Sequence, residues 1–381
     1  MDPPPPTPSS FPVAPPPRQI IRRAGASPKS EQDETFSVLC YNILCPQYAS
    51  PSLYHYTPAW ALPWEYRRMR IMDEIRRYSC DLVCLQEVDW DIYDEWLREE
   101  MEREKYSCFF CPSWAKKLQR SRRDGVAVFW RADRFRLLQH HIVEFSSLAE
   151  QREDFRSSKD VPNRFLQRGN VGIICLLRSL TTGKPLLLVN THLYWDPEFC
   201  DVKLVQAGLL GEEIEKVAQR VREEQATSEV PVVLCGDFNS MPNSGVYEFL
   251  STGSVSRQHP DFKRRHYGLF TKTGLNHGLE LRSAYAHNGG SPPDEGGPGT
   301  SLKIVDTELL PWTNYTAHFR GVLDYIWYSK EFLHANTYLG GIDQEYLEAE
   351  KVIGFPDAHF PSDHIPIMTE FTWRASMKAN M

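Results

Sequence analysis

Two periods of apolar and polar residues alternate along this chain. Residues 36–44 (FSVLCYNIL), 81–87 (DLVCLQE), 125–130 (GVAVFW), 171–178 (VGIICLLR), 185–193 (PLLLVNTHL), 230–237 (VPVVLCGD), 322–328 (VLDYIWY) and 365–373 (IPIMTEFTW) are short apolar runs bounded by polar or turn-forming residues. Such runs predict buried strands. Between them the period changes. Trp64, Arg68, Ile71, Met72, Ile75 and Tyr78 recur at helical spacing with basic residues opposite, and residues 92–104 (IYDEWLREEMERE) predict a second helix. Val202, Val205, Leu209, Ile214, Val217 and Val221 mark a long third one.

Strands that are apolar on both faces must be covered on both faces. Several of these strands have hairpin-like neighbours with no helix between them. The expectation is an α/β fold with two packed mixed sheets flanked by helices, in one domain over about residues 35–376. Residues 1–34 open with MDPPPPTPSSFPVAPPPRQ, which holds too few apolar groups to pack and predicts a disordered or polyproline-like tail. Its prolines also make a poor amphipathic targeting helix, although Arg18, Arg22 and Arg23 precede the first glutamate. Residues 288–301 (NGGSPPDEGGPGTS) predict a surface loop, and 377–381 a short C-terminal tail.

The chain has 381 residues, 41% of them hydrophobic, enough for a large core. No run of about 18 apolar residues occurs, which argues against a membrane-spanning helix. The N-terminus has no apolar signal segment. Nine scattered cysteines, with Cys40, Cys84, Cys175 and Cys235 inside apolar runs, predict reduced thiols in a cytoplasmic protein that can also be nuclear. Cys108 and Cys111 form a CxxC without a second pair at zinc spacing. Asn314-Tyr315-Thr316 matches a glycosylation pattern but needs a secretory route. The net charge of −7 argues against a non-specific nucleic-acid coat. It is compatible with an acidic site that divalent cations cover.

The candidate chemistry stands at the strand ends. Asn42 lies near the end of the first strand, Glu87 ends the second, and His192 follows LLLVNT. Asp237 and Asn239 follow VVLCG, Asp324 sits among apolar residues, and Asp363 and His364 precede the last strand. Singly, an aspartate after a strand is most often a helix cap or turn former. Together, strands ending on one edge would gather these groups in one pocket. Glu87, Asp237 and Asp363 are hard oxygen ligands suited to Mg²⁺ or Mn²⁺. Asn239 can bond a phosphoryl oxygen or a water without adding charge, His364 can donate to a phosphate, and Asp324 can orient the imidazole. This is a kit for metal-assisted hydrolysis of a phosphoester, with two ions as clamps.

At these residues the chain resembles the exonuclease–endonuclease–phosphatase superfamily, through CYNIL, LQEV, NTHLYWDP, CGDFNS, GVLDYIWYS and PSDH. Within it, the sequence is similar to the carbon catabolite repressor 4-type deadenylases, through YTPAWALPWEYRR, THLYWDPEFCDVKLVQ, NSGVYEFLSTGSV and WTNYTAHFRGVLDYIWYS. The resemblance covers roughly residues 35–375. It implies a four-layer α/β sandwich and 3′→5′ removal of AMP from poly(A) RNA. It also implies Mg²⁺ on Glu87, with Asn42, Asp237 and Asn239 lining the second metal and the water. Asp324 would pair with His364 on the scissile phosphate beside Asp363, and His192 would contact that phosphate. Pro197 and Phe319 match the pair that grips the terminal adenine. Family members dock on deadenylase-complex subunits through leucine-rich repeats ahead of the nuclease domain. Here the proline-rich stretch stands in that position, so this docking route is not expected.

Related superfamily members act on 2′,3′-cyclic phosphates or on nucleotide phosphates, which makes a phosphatase the alternative. A non-catalytic RNA adaptor is the alternative of another class; it would not need Glu87, Asp237, Asp324 and His364 together. Lys116, Lys117, Arg120, Arg122 and Arg123 form a basic loop that could guide an RNA backbone, or simply be solvated.

Overall fold

The computed structural model describes residues 14–23, 34–113, 124–287 and 308–374. The basic cluster at 116–123, the loop at 288–301 and the C-terminal tail lie outside the described residues, as does most of the proline-rich segment.

Among the described residues, thirteen strands build two sheets. They are β1 (Ile20–Arg22), β2 (Thr35–Asn42), β3 (Leu82–Asp89), β4 (Tyr106–Pro112), β5 (Asp124–Arg131), β6 (Phe135–Glu144) and β7 (Val171–Ser179). They continue with β8 (Pro185–His192), β9 (Val232–Asp237), β10 (Leu281–Ser283), β11 (Asp324–Ser329), β12 (Leu333–Leu339) and β13 (Ile367–Trp373). The first sheet runs β1-β12-β13-β2-β3-β5-β4, and the second β10-β11-β9-β8-β7-β6. Each holds one parallel pair, β2 with β3 and β8 with β9; the other neighbours are antiparallel.

The sheets pack face to face over Val38, Cys40, Cys84, Val128, Ile173, Cys175, Leu188, Val233, Cys235 and Ile326, all buried. The thiols are free. Helix α1 (Trp64–Tyr78) lays Ile71, Met72 and Ile75 on the outer face of the first sheet. Helices α2 (Cys200–Gln225) and α3 (Gly245–Thr252) cover the second. On α2 the expected valine, leucine and isoleucine positions are all buried, each worth about 1.5–3 kcal/mol against exposure. The result is the expected four-layer sandwich.

Two expectations need correction. The tail is not structureless throughout: β1 pairs antiparallel with β12 at the sheet edge, Ile20 opposite Leu339. Arg18 secures it by donating to the carbonyls of Gly340 (2.8 Å) and Pro366 (2.7 Å). A short strand needs only a free edge and backbone partners, not an apolar pattern. The second expected helix is also interrupted. Trp90–Ile92 and Arg98–Arg103 flank a π-helical turn over Tyr93–Leu97.

The sheets are also tied by polar groups. Gln86 of β3 donates to the Asn190 carboxamide oxygen of β8 at 2.7 Å. The Asn190 amide in turn donates to the carbonyls of Leu85 and Ala127, each at 2.9 Å. Both amides are fully buried, so every bond matters. This clamp sits directly beneath Glu87 and His192.

Candidate active site

Strand register lines up half of the site. His192, the last residue of β8, is level with Asp237, the last residue of β9. Asp237 is in turn opposite Asp324, the first residue of β11. Gly236 permits this spacing, because a Cβ there would meet the Thr191 carbonyl oxygen at 2.3 Å. From the other sheet, Asn42 ends β2. Glu87 does not end a strand, contrary to expectation. It interrupts the β3–β5 register as a bulge between Gln86 and Val88, with φ of 57°. A bulge re-aims a side chain out of the pleat. Asn239 also has positive φ, 48°, and such strain clusters at functional sites.

The side chains converge on Asp237. Its Oδ2 accepts from the Asn42 amide at 3.0 Å and lies 3.5 Å from His192 Nε2 and 3.6 Å from His364 Nε2. Its Oδ1 accepts from the Asn239 backbone at 2.9 Å. Asn42 spans the sheets, since the same amide nitrogen donates to Glu87 Oε1 at 3.0 Å. The Asn42 oxygen accepts from the Leu44 backbone, which fixes the carboxamide's orientation. Glu87 Oε2 accepts from Cys45 N at 2.9 Å. Asn239 donates to His192 Nε2 at 3.0 Å.

His364 Nδ1 is 2.7 Å from Asp324 Oδ2, an oxygen that also accepts from the Thr313 hydroxyl at 2.6 Å. Asp363 Oδ2 accepts from the Tyr54 hydroxyl at 3.0 Å and the Asn314 amide at 3.2 Å. Thr313, Asn314 and Tyr54 were not foreseen as site residues. Asn314, read only as a glycosylation pattern, is buried against Asp363. The signal that could have found it is a Thr-Asn pair among aromatics just ahead of Asp324.

Charge is crowded here. Burial pushes the Glu87 carboxyl up, against the pull of His192, and Asp363 adds to the rise. Burial lowers the His364 imidazole, but Asp324, Asp237 and Asp363 overcome that and hold it well above its usual value. Burial raises Asp324 while His364 opposes it. The pair shares a proton, which we assign to His364 because more than one carboxylate faces its ring. Ligand atoms of Asp237, Asp324 and His364 all lie within 4.8 Å of one another, a group able to hold a metal once His364 gives up its proton; while it keeps the proton, only the carboxylates can ligate. Asp324 Oδ1 makes no hydrogen bond among the described residues. Unpaired buried carboxylate oxygens fit a hard cation.

Beside Asn239 opens a hollow of about 510 Å³. Pro197 and Phe319 line it with Trp195, Met241 and Lys203. Asp196 caps the turn that starts at Pro197, accepting from Glu198 N at 2.8 Å. The Phe319 ring lies over Gly321, where a Cβ would meet it at 2.7 Å. Lys203 donates to the Asn239 carbonyl at 2.6 Å, which ties the floor of the hollow to the loop after β9.

The profile of the Endonuclease/Exonuclease/phosphatase family matches residues 39–364. The chain belongs to this family. Among curated proteins it is 38% identical over 393 residues to the CCR4-Not complex 3′-5′-exoribonuclease subunit Ccr4 of Mycosarcoma maydis, covering 96% of this chain and 56% of that protein. The subunit of the same name from Schizosaccharomyces pombe is 36% identical over 357 residues, covering 88% and 49%. The chain thus spans about half the length of the curated relatives it matches. Among solved structures it is similar to ANGEL2, a 2′,3′-cyclic phosphatase, in complex with adenosine-2′,3′-vanadate. The TM-score is 0.72 and the identity 26%, over 94% of this chain and 99% of that one. The human nocturnin catalytic domain, with bound sulfate, shares the fold at TM-score 0.59 and 22% identity, over 94% and 97%. Enzymes of the endonuclease/exonuclease/phosphatase family depend on metals, in keeping with the acidic cluster found here.

Proposed function

We propose that this chain is a Mg²⁺-dependent 3′→5′ exoribonuclease that shortens poly(A) and releases AMP. The observation that carries the reading is the Pro197–Phe319 hollow opening beside Asn239. It offers a flat, apolar seat for a terminal base next to the Asp237–His364 centre, and stacking of this kind is worth about 1–3 kcal/mol per base. The likeness to Ccr4 subunits, named as 3′-5′-exoribonucleases, over most of the chain supports the exoribonuclease activity.

In this reading the chain's residues divide the work. Asp237 and Asn239 orient the attacking water, and Asp237 takes its proton. His364, held through Nδ1 by Asp324, donates from Nε2 to a phosphoryl oxygen. His192 contacts the same phosphate. Asn42 braces Glu87 against Asp237, and Tyr54 and Asn314 fix Asp363. Glu87, Asp237 and Asp363 would hold two Mg²⁺ ions, replaceable by Mn²⁺, which would supply neutralisation of the scissile phosphate and the leaving oxygen. Assembly with deadenylase-complex subunits belongs to the proposal because the relatives are named as subunits of the CCR4-Not complex.

The test is a time course on 5′-labelled RNA ending in an A-tract. A ladder that stops at the last adenine, and that EDTA abolishes, is expected. Intact oligo(A) after incubation with Mg²⁺ would refute the reading. The likeness to a 2′,3′-cyclic phosphatase favours one alternative. Under it, RNA ending in a cyclic phosphate would lose phosphate while its length stayed unchanged.

A further inference from the structure

A second hollow borders the same centre. The segment at 46–64 folds around a cavity of about 430 Å³, walled by Pro46, Pro51, Tyr54, His55, Leu62 and Trp64. It adjoins the carboxylates that the Phe319 hollow does not reach. Tyr54 bonds Asp363 at 3.0 Å, and Cys45, just before Pro46, bonds Glu87 at 2.9 Å. The two hollows are linked along the rim. The His55 ring centroid lies 6.4 Å from that of His318, the neighbour of Phe319.

The walls are preformed. The buried Arg67 guanidinium donates to the carbonyls of Ile43, Leu44, Leu62 and Pro361, all at 2.9–3.1 Å. Trp64 is held edge-on by Trp96 at 5.8 Å, with Arg67 over its ring at 5.5 Å. Two polar side chains of the walls are engaged elsewhere: Thr57 donates to the Pro356 carbonyl at 2.6 Å, and Tyr54 to Asp363. The rest of the lining is mainly rings and prolines, with the His55 ring at the exposed rim, and stacking on such surfaces tolerates any base.

We propose that this cavity is a second nucleotide subsite, which seats the base on the 5′ side of the scissile phosphate without selecting among bases. The inference rests on the exoribonuclease reading, and it makes the substrate a polymer held at two points across the centre.

Binding decides it independently of cleavage. In a His364→Ala background with Mg²⁺ present, the affinity of a labelled A-tract oligonucleotide is compared with that of the same strand abasic at its penultimate position. The abasic strand is expected to bind about tenfold more weakly, while cytosine at that position changes little. Ala59→Trp, which fills the cavity from its exposed rim, should weaken the intact strand about tenfold and remove the abasic effect. His55→Ala should shrink that effect, and thermal melts check that both variants fold. An abasic cost that is zero in the parent, or unchanged in Ala59→Trp, overturns the subsite. If the wild type cleaves oligo(A) but the abasic effect is absent, the function stands and the subsite falls. If oligo(A) stays uncut, the function falls and the binding cycle decides the cavity on its own.

Discussion

The two sheets supply the centre by different means. The second sheet delivers His192, Asp237 and Asp324 by stopping or starting strands at one level. The first delivers Asn42 by a strand end but Glu87 by a bulge in a strand that runs on to Asp89. Ends are cheap to place, because turn residues tolerate polar groups. A bulge takes a non-glycine residue to positive φ, which must be repaid by surrounding contacts. Glu87 has them in Asn42 and the Cys45 backbone. In the proposed mechanism Asp237 and Asp324 stand at strand ends of the second sheet, His364 enters from the first sheet just ahead of β13, and Glu87, the candidate metal ligand, sits on the bulge.

That contrast predicts unequal effects. Asp237 touches Asn42 and the Asn239 backbone and faces both histidines, so Asp237→Ala should lower kcat on oligo(A) by about 10⁴-fold without unfolding the protein. Glu87→Ala should cost about 10²-fold. Added Mg²⁺ should recover part of the Glu87→Ala loss and none of the Asp237→Ala loss, because Asp363 and Asp237 remain to bind the ion. Equal losses, both rescued by Mg²⁺, would erase the distinction. Steady-state rates across a Mg²⁺ titration measure it.

The seam between the sheets comes next. Asn190→Ala leaves Gln86 and two buried carbonyls without their partner and opens a void. A loss of about 3 kcal/mol in denaturant unfolding is expected. A loss below about 1 kcal/mol would mean that water replaces the clamp. Gly236→Ala perturbs only the second sheet. It drives a methyl group into the Thr191 carbonyl, and about 2 kcal/mol should be lost. Activity should fall as well, since Asp237 and His192 lie next to the displaced backbone.

The sequence makes the second sheet's contribution readable and hides much of the first sheet's. Asp237 directly follows an apolar run and His192 follows one by two polar residues, so their placement at strand ends is visible in one dimension. Asp324 was seen as a polar residue among apolar ones; the structure makes it the first residue of β11. In LQEV, the bulge at Glu87 breaks the two-residue period without any glycine or proline to announce it. Strands β6 and β12 are hidden in the sequence because polar residues, Gln139, His140 and His141 in one and His334 and Thr337 in the other, break the apolar run. β1 was missed because its stability lies in Arg18 and the edge of β12, far away in sequence. Tyr54, Thr313 and Asn314 join the centre only by folding.

The outer helices repeat the contrast more gently. On the first sheet, α1 is fastened at the surface by Arg76 to Glu100 and Glu104, pairs too exposed to count for much. On the second, α2 is fastened to β6 by Glu213, which bonds His141 at 2.9 Å and Lys216 at 2.6 Å with little exposure. The bond from His141, with help from Lys216, lowers the Glu213 carboxyl to about 2. In the unfolded chain a glutamate titrates near 4.3, roughly. A carboxyl depressed on folding stabilises the protein above its unfolded value, and that stability is lost as pH falls through the folded one. The window therefore runs from about pH 4.5 down to pH 2. Because Lys216 is well exposed, solvent screens part of the gain, and about 1 kcal/mol is expected. Glu213→Gln should cost that much near neutral pH, and the difference from wild type should shrink to nothing towards pH 2. A gap that stays constant across the acid range would assign the helix's hold to packing alone, as on the first sheet.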